Sequence, residues 1–188
     1  YFDNQSCYRH VPANGSIGAY FDWQGAANGS GSCGGGGFNG NFMNWATSSA
    51  VDIMRYGLTG GNRVIDDGTG ANKTVVERAW LPDNFYRNSS YFSEKVLPKA
   101  LVSKMIETSA AHKLGDNDMY IYNCRDRVYF AKKQDTTGGC TNPCGVADAQ
   151  SSELLGPNNN DTYYEVRNLV CDPNSATNRL MTYDPDTK

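Results

Sequence analysis

Residues 34–63, GGGGFNGNFMNWATSSAVDIMRYGLTGGNR, decide the fold. A glycine run leads into an aromatic-rich segment, and Gly60-Gly61 closes it. Asn41 is a candidate N-cap. Phe42, Trp45, Ala46, Ser49, Ala50, Ile53, Met54 and Gly57 then recur at three- and four-residue steps. That spacing predicts one helix over Asn41–Leu58 with an apolar-to-small stripe. Asp52 and Arg55 fall on the other side, and the glycine pair supplies a positive-φ stop. A helix of roughly 18 residues is about 27 Å long. Its small residues, Ala46, Ser49 and Ala50, let a sheet or a second helix approach closely.

Outward from this stretch the chain is polar. Residues 1–37 read as a loop-rich arm pinned by Tyr20, Phe21 and Trp23, and 38–188 as a helix-plus-sheet core of the same domain. The 26–37 run of Gly, Ser, Asn and Ala is flexible unless Cys33 fixes it. Arg63-Val-Ile-Asp66 reads as a short strand. Thr74 with Glu77 three residues on fits a capping box and predicts a two-turn helix over Thr74–Leu81. Lys99–Lys113 is a further helix, with Leu101, Val102, Met105 and Ile106 on one face. Met119–Lys132 alternates as a hairpin turning near Arg125-Asp126, and Tyr163–Cys171 is the last strand. These elements give an α+β fold, one long helix packed on a small antiparallel sheet, loop-rich and disulfide-bonded.

Composition sets the class. The 188 residues carry a formal charge of −3, 39% hydrophobic residues and a mean hydropathy of −0.59. That is enough for one lean domain in which Tyr, Trp and Phe supply much of the buried area. No basic stripe marks a nucleic-acid partner. No run of roughly 18 apolar residues marks a membrane span. Tyr1 follows no signal-peptide pattern and reads as an internal or processed start of a longer chain. Cys7, Cys33, Cys124, Cys140, Cys144 and Cys171 form no C-x-x-C, and two histidines are a poor ligand supply for zinc. An even cysteine count in such a chain points to disulfides and an oxidising compartment. Cys7–Cys33, Cys140–Cys144 and Cys124–Cys171 are the preferred pairs, since each encloses a weakly structured segment; other pairings stay open.

Catalytic patterns are weak. His10 and His112 lie in no nucleophile-elbow context and read as surface residues. Asp66-Asp67, Asp116/Asp118 and Asp184/Asp186 are carboxylate pairs, but Asp in such loops supports turns more often than hydrolysis. Asp116-Asn117-Asp118 and Asn158–Asp161 are oxygen-rich without an EF-type register, so a structural calcium ion cannot be assigned and no cofactor is expected. The Gly34–Gly37 run lacks the Gly-Lys-Ser/Thr ending of a phosphate loop. Sequons at Asn14, Asn28, Asn72, Asn88 and Asn160 are of the number chance gives in so Asn- and Ser-rich a chain. Trp23, Tyr86, Tyr91, Tyr163 and Tyr164 are the candidate ligand-binding aromatics, with core burial as the alternative for each.

Phe38-Asn-Gly-Asn-Phe-Met-Asn-Trp-Ala-Thr47 resembles the GNFLNWATMT signature of PilC/PilY-type tip-associated adhesins of bacterial type IV pili. Ala50–Arg63 looks like the helix and Gly-Gly-Arg run that follow it. Tyr1-Phe2-Asp3 with Cys7-Tyr8, Val75-Val-Glu-Arg-Ala79, Val128-Tyr-Phe130 and Val170-Cys-Asp172 are similar to further short strings of that family. The resemblance implies a partial von Willebrand factor A-like domain or its cysteine-rich insertion, in a large secreted protein at the pilus tip. It implies non-catalytic work in pilus assembly and attachment, with minor pilins or the pilus tip and host-surface protein or glycan as partners. The Asp-x-Ser-x-Ser metal loop of an A-domain is missing, because Asn28-Gly-Ser-Gly-Ser lacks the leading Asp. The rival readings are a secreted glycosidase-like hydrolase using paired Asp residues, and a purely structural module that positions a neighbouring domain.

Overall fold

A computed structural model describes residues 2–14, 18–66, 73–81, 95–108, 111, 114–132, 154–155 and 164–171. Among them the order is β1 (Ser6–Val11), β2 (Tyr20–Ala26), β3 (Phe38–Asn39), α1 (Gly40–Thr47), α2 (Ala50–Thr59), β4 (Asn62–Asp66), β5 (Thr74–Glu77), β6 (Lys95–Leu97), α3 (Lys99–Met105), β7 (Met119–Cys124), β8 (Arg127–Ala131), β9 (Leu154–Leu155), β10 (Tyr164–Glu165) and β11 (Arg167–Cys171). The fold is α+β, with two sheets. A six-stranded sheet runs β3-β1-β2-β11-β5-β4; a five-stranded one runs β10-β8-β7-β6, with β9 also on β8. Strand β11 lies parallel to β2 and antiparallel to β5, so the larger sheet is mixed.

The long helix is two helices. Ser48 is extended (ψ 137°) and ends α1; Ser49 then caps α2 in a reciprocal box with Asp52. A Ser-Ser pair offers the backbone side-chain bonds that compete with helix continuation, which is why the chain breaks there. The N-cap of α1 is Asn39, whose carbonyl oxygen accepts from Phe42 N at 2.8 Å. The apolar stripe divides at the same point. Phe42, Met43 and Ala46 enter the core, whereas Ile53 and Met54 stay exposed.

Residues 1–37 are not a loop-rich arm. Six pairs of residues match β1 to β2, and Phe2, Tyr8 and Phe21 are core residues. Tyr8 and His10 point inward from alternate positions of β1, so this hairpin contributes to the core, with Tyr8 and Phe21 in it, rather than leaning on it. The glycine-rich lead-in is fixed by a Cys7–Cys33 disulfide, with Cα atoms 5.7 Å apart, as the preferred pairing expected. Gly35 O also accepts from Thr108 N and Oγ1, at 2.9 and 3.1 Å. Cys140 and Cys144 lie outside the described residues, and of Cys124 and Cys171 only the backbone is described.

Three further expectations change. Thr74–Leu81 is strand β5 followed by irregular chain to a bridge at Leu81, because Val75 and Val76 suit a sheet between β4 and β11 better than a short helix. The last strand is two, β10 and β11, which join different sheets after a break at Val166. The helix from Lys99 is α3, which ends at Met105; Thr108, Ala111 and Leu114 are helical again after that break. The strand over residues 63–66 and the hairpin over 119–132 occur as β4 and β7–β8. The core between the sheets is aromatic. Phe38 meets Phe21 edge-on at 5.3 Å and Tyr164 at 5.2 Å, and Phe2 meets Tyr8 at 4.9 Å.

Candidate binding surface

Buried polar bonds tie the helical stretch to the sheets and decide which aromatics remain outside. The Asn44 amide grips Phe2 twice, accepting from Phe2 N at 2.9 Å and donating to Phe2 O at 2.6 Å. The Asp52 carboxylate accepts from Ser49 N, Ser49 Oγ and Ala79 N. The Arg78 guanidinium donates to Asn123 Oδ1, and the Asn123 amide donates to Ala46 O at 2.8 Å. Burial lowers the Arg78 pKa to about 10, against the opposing pull of Asp52 and Asp126.

Above this network stand two exposed indoles, each beneath a cation. Lys95 Nζ donates to the Trp45 carbonyl and lies 5.6 Å from the Trp45 ring centroid. Burial, then the Arg78 charge, lowers the Lys95 pKa to about 8. The Arg125 guanidinium lies 5.7 Å from the Trp80 ring. Arg125 has a positive φ of 49°, held by paired backbone bonds with Leu81 of 3.0 and 3.2 Å. Beside them α2 presents Val51, Ile53, Met54, Tyr56 and Leu58 to solvent. No group of three or more metal-ligating side chains occurs among the described residues.

At the other end, Arg167 joins the two sheets. It meets Glu77 at 2.7 Å, Glu165 at 2.9 Å and Asp126 at 3.8 Å. Burial raises the Glu77 pKa, and the Arg167 hydrogen bond opposes that rise.

Of the five predicted ligand-binding residues, Trp23 and Tyr164 are among those described. Trp23 is half-buried, packs on the core and donates to Ser6 Oγ at 2.9 Å. Tyr164 is 1% exposed, inside the aromatic cluster, so for it the core alternative holds. Tyr86, Tyr91 and Tyr163 lie outside the described residues. His10 is not a surface residue: it is 8% exposed, between Phe21 and Tyr164. His112, Asp67, Asp184, Asp186 and the 158–161 loop lie outside the described residues. Asp66 bonds Arg63 and, across the β4–β5 pair, Thr74; Asp116 bonds Lys99 Nζ and Asp118 accepts from Lys99 N at the start of α3, so these last two tie separate elements together rather than supporting their own turn. Sequence reasoning missed Trp45 and Trp80, because helical spacing put the first in a core stripe and a misread capping box enclosed the second.

A family model described as "PilY1 homolog, small alpha/beta domain" matches residues 1–149. A type IV pilus biogenesis factor PilY1 homolog from Xylella fastidiosa (strain Temecula1) is 36% identical over 97 residues, which cover 47% of this chain and 8% of that protein. The chain therefore matches only a small part of that relative's length. No solved structure matches it.

Proposed function

This chain belongs to the PilY1 homolog small alpha/beta domain family, and on that premise we propose that it is a non-catalytic surface-binding module of a type IV pilus tip-associated adhesin. It acts in pilus assembly and bacterial attachment, as the cysteine-rich insertion of a von Willebrand factor A-like region. Its place is the secreted or cell-surface pilus tip, and its partners are minor pilins or other tip components and a host-surface protein or glycan. The family match carries this reading, and the relative's description as a pilus biogenesis factor supports it. The Cys7–Cys33 bridge fits an oxidising compartment. The experiment is deletion of the domain from its gene in the producing bacterium. Loss of surface pili or of attachment is expected; normal pili with normal attachment would overturn the proposal.

A second reading, a structural module that positions its neighbours, is favoured by one observation. The family-marking residues are internal fasteners: Asn44 holds Phe2, Asp52 holds Ala79, and Tyr8 pairs with Phe38. Saturable binding of the chain to immobilised glycans or matrix proteins removes that reading, and its absence favours it.

A further inference from the structure

A cavity of about 650 Å³ lies between α2, residues 2–4 and the larger sheet. Small-ligand sites have volumes of roughly 300–1,000 Å³. The β5–β11 pair lines it with Val76, Asn168 and Val170, and Phe2 joins them. Helix α2 supplies Ile53 and Tyr56, three positions apart and so on one face. That wall is apolar. The wall formed by residues 3–4 and the end of α1 is polar, with Asp3, Asn4, Asn44 and Ser48.

The polar wall has hydrogen-bonding capacity to spare. The Asn44 amide spends one N–H and one lone pair on Phe2, and an amide has two of each. The side chains of Asn4 and Ser48 make no hydrogen bond among the described residues. Asn44 is held by Phe2, and Asn168 by a side-chain bond with Tyr8. These amides are therefore in place before anything binds, which lowers the ordering cost of binding.

Charge narrows the occupant. No Lys, Arg or His lines the cavity, so an anion finds nothing there to offset its desolvation. The one carboxylate, Asp3, already accepts from Gln5 N at 3.0 Å and Ser6 Oγ at 2.6 Å. No metal-ligating group of three lies among the described residues. A purely apolar ligand would cover the amides and the hydroxyl without pairing them, which is costly. An uncharged ring with C–H groups on its faces and hydroxyls around its edge matches both walls.

We propose that this cavity is a binding site for a neutral pyranose sugar. One face of the ring lies against Ile53 and Tyr56, and its hydroxyls bond Asn4, Asn44 and Ser48. The inference rests on the surface-binding reading above and names the ligand class and the place where it binds.

The test titrates the isotope-labelled chain with methyl glycosides of glucose, galactose, mannose and N-acetylglucosamine, and with methyl glucuronide and butylammonium as charged probes. At least one neutral glycoside is expected to shift the side-chain amides of Asn4 and Asn44 and the backbone amides of residues 53–60. Methyl glucuronide and butylammonium should bind at least about tenfold more weakly. Asn4→Ala, at an exposed position, should weaken the glycoside about fivefold, and adding Ser48→Ala should weaken it further. Neither side chain is bonded within the fold, so thermal melts of both variants should match the parent. No shifts with any neutral glycoside, shifts confined elsewhere, tighter binding of either charged probe, or unchanged affinity in the variants would each overturn the proposal. Binding to immobilised glycans that survives both substitutions would remove this cavity and leave the surface-binding reading standing.

Discussion

The Asp52 carboxylate accepts the backbone N–H of Ala79, 27 residues away in sequence, and so fastens α2 to the chain that leaves β5. The same carboxylate closes the Ser49 cap and faces the buried Arg78 guanidinium. Asp52→Ala leaves an N–H and a guanidinium without that partner in a buried place. A loss of about 3–5 kcal/mol in urea unfolding is expected. Asp52→Asn, which keeps one acceptor, should cost less.

Ser49→Ala should behave differently. It removes one side of the capping box, worth about 1 kcal/mol. Because α2 buries so little, the loss should appear as local opening. Amide exchange over residues 52–59 should quicken, while the thermal midpoint moves little.

The Cys7–Cys33 bridge spans a sequence separation of 26. Loop-closure entropy for that span gives a stabilisation of about 3.5 kcal/mol. The Cys7→Ala/Cys33→Ala double variant should lose an amount of that order in denaturant unfolding. It should also free Gly35 from Thr108, which exchange at the Thr108 amide reads directly.

Gly40 is required for space. A Cβ there would sit 1.9 Å from Asp3 O, and one at Gly37 would sit 2.6 Å from Tyr8 O. Backbone is the obstacle in both cases, so Gly40→Ala should destabilise by at least about 2 kcal/mol. Gly57→Ala meets nothing within 4 Å. In an exposed helix it should stabilise by a few tenths to about 1 kcal/mol. Thermal melts of the two variants should therefore move in opposite directions.

Lys95 and Lys99 are four positions apart and should titrate in opposite directions. Burial brings Lys95 down to about 8, while the Asp116 hydrogen bond raises Lys99 above its ordinary value of 10.5. Between pH 8 and 10.5 the unfolded chain holds a proton on Lys95 that the folded chain has released. Its contribution to stability therefore rises with pH across that window. NMR titration of reductively methylated lysines checks both directions. Lys95→Met should flatten the stability profile there.

What the residues disclosed follows from how local each signal is. The β7–β8 hairpin is set by alternation over a few residues and was legible, and the short β4 was legible too. The break at Ser48-Ser49 was equally local, since Ser49-x-x-Asp52 is a capping box; a continuous helical stripe across it masked the signal. Thr74-x-x-Glu77 has the same form and is a strand, because Val75 and Val76 gain more between β4 and β11 than a two-turn helix offers. The first hairpin was hidden because Tyr8 and Phe21 are buried by partners more than 100 residues away, among them Tyr164 and Phe130. The exposed pair Trp45 and Trp80 depended on cations from β6 and the β7–β8 turn, and no spacing along the chain announces those.

Strand β11 carries a consequence for how the domain is made. Asn168 pairs with Phe21 on one side and Val76 on the other, so the middle of the larger sheet is the strand that comes last in sequence among the described residues. Until residues 167–171 leave the ribosome, β1–β2 and β4–β5 are two separate hairpins with raw edges. Such late, long-range closure slows folding and prolongs exposure of sticky intermediates. A chain cut at residue 149, where the family match ends, would lack its keystone. The smallest autonomous unit therefore reaches at least Cys171, and nascent-chain protease protection should appear only after that length is exposed.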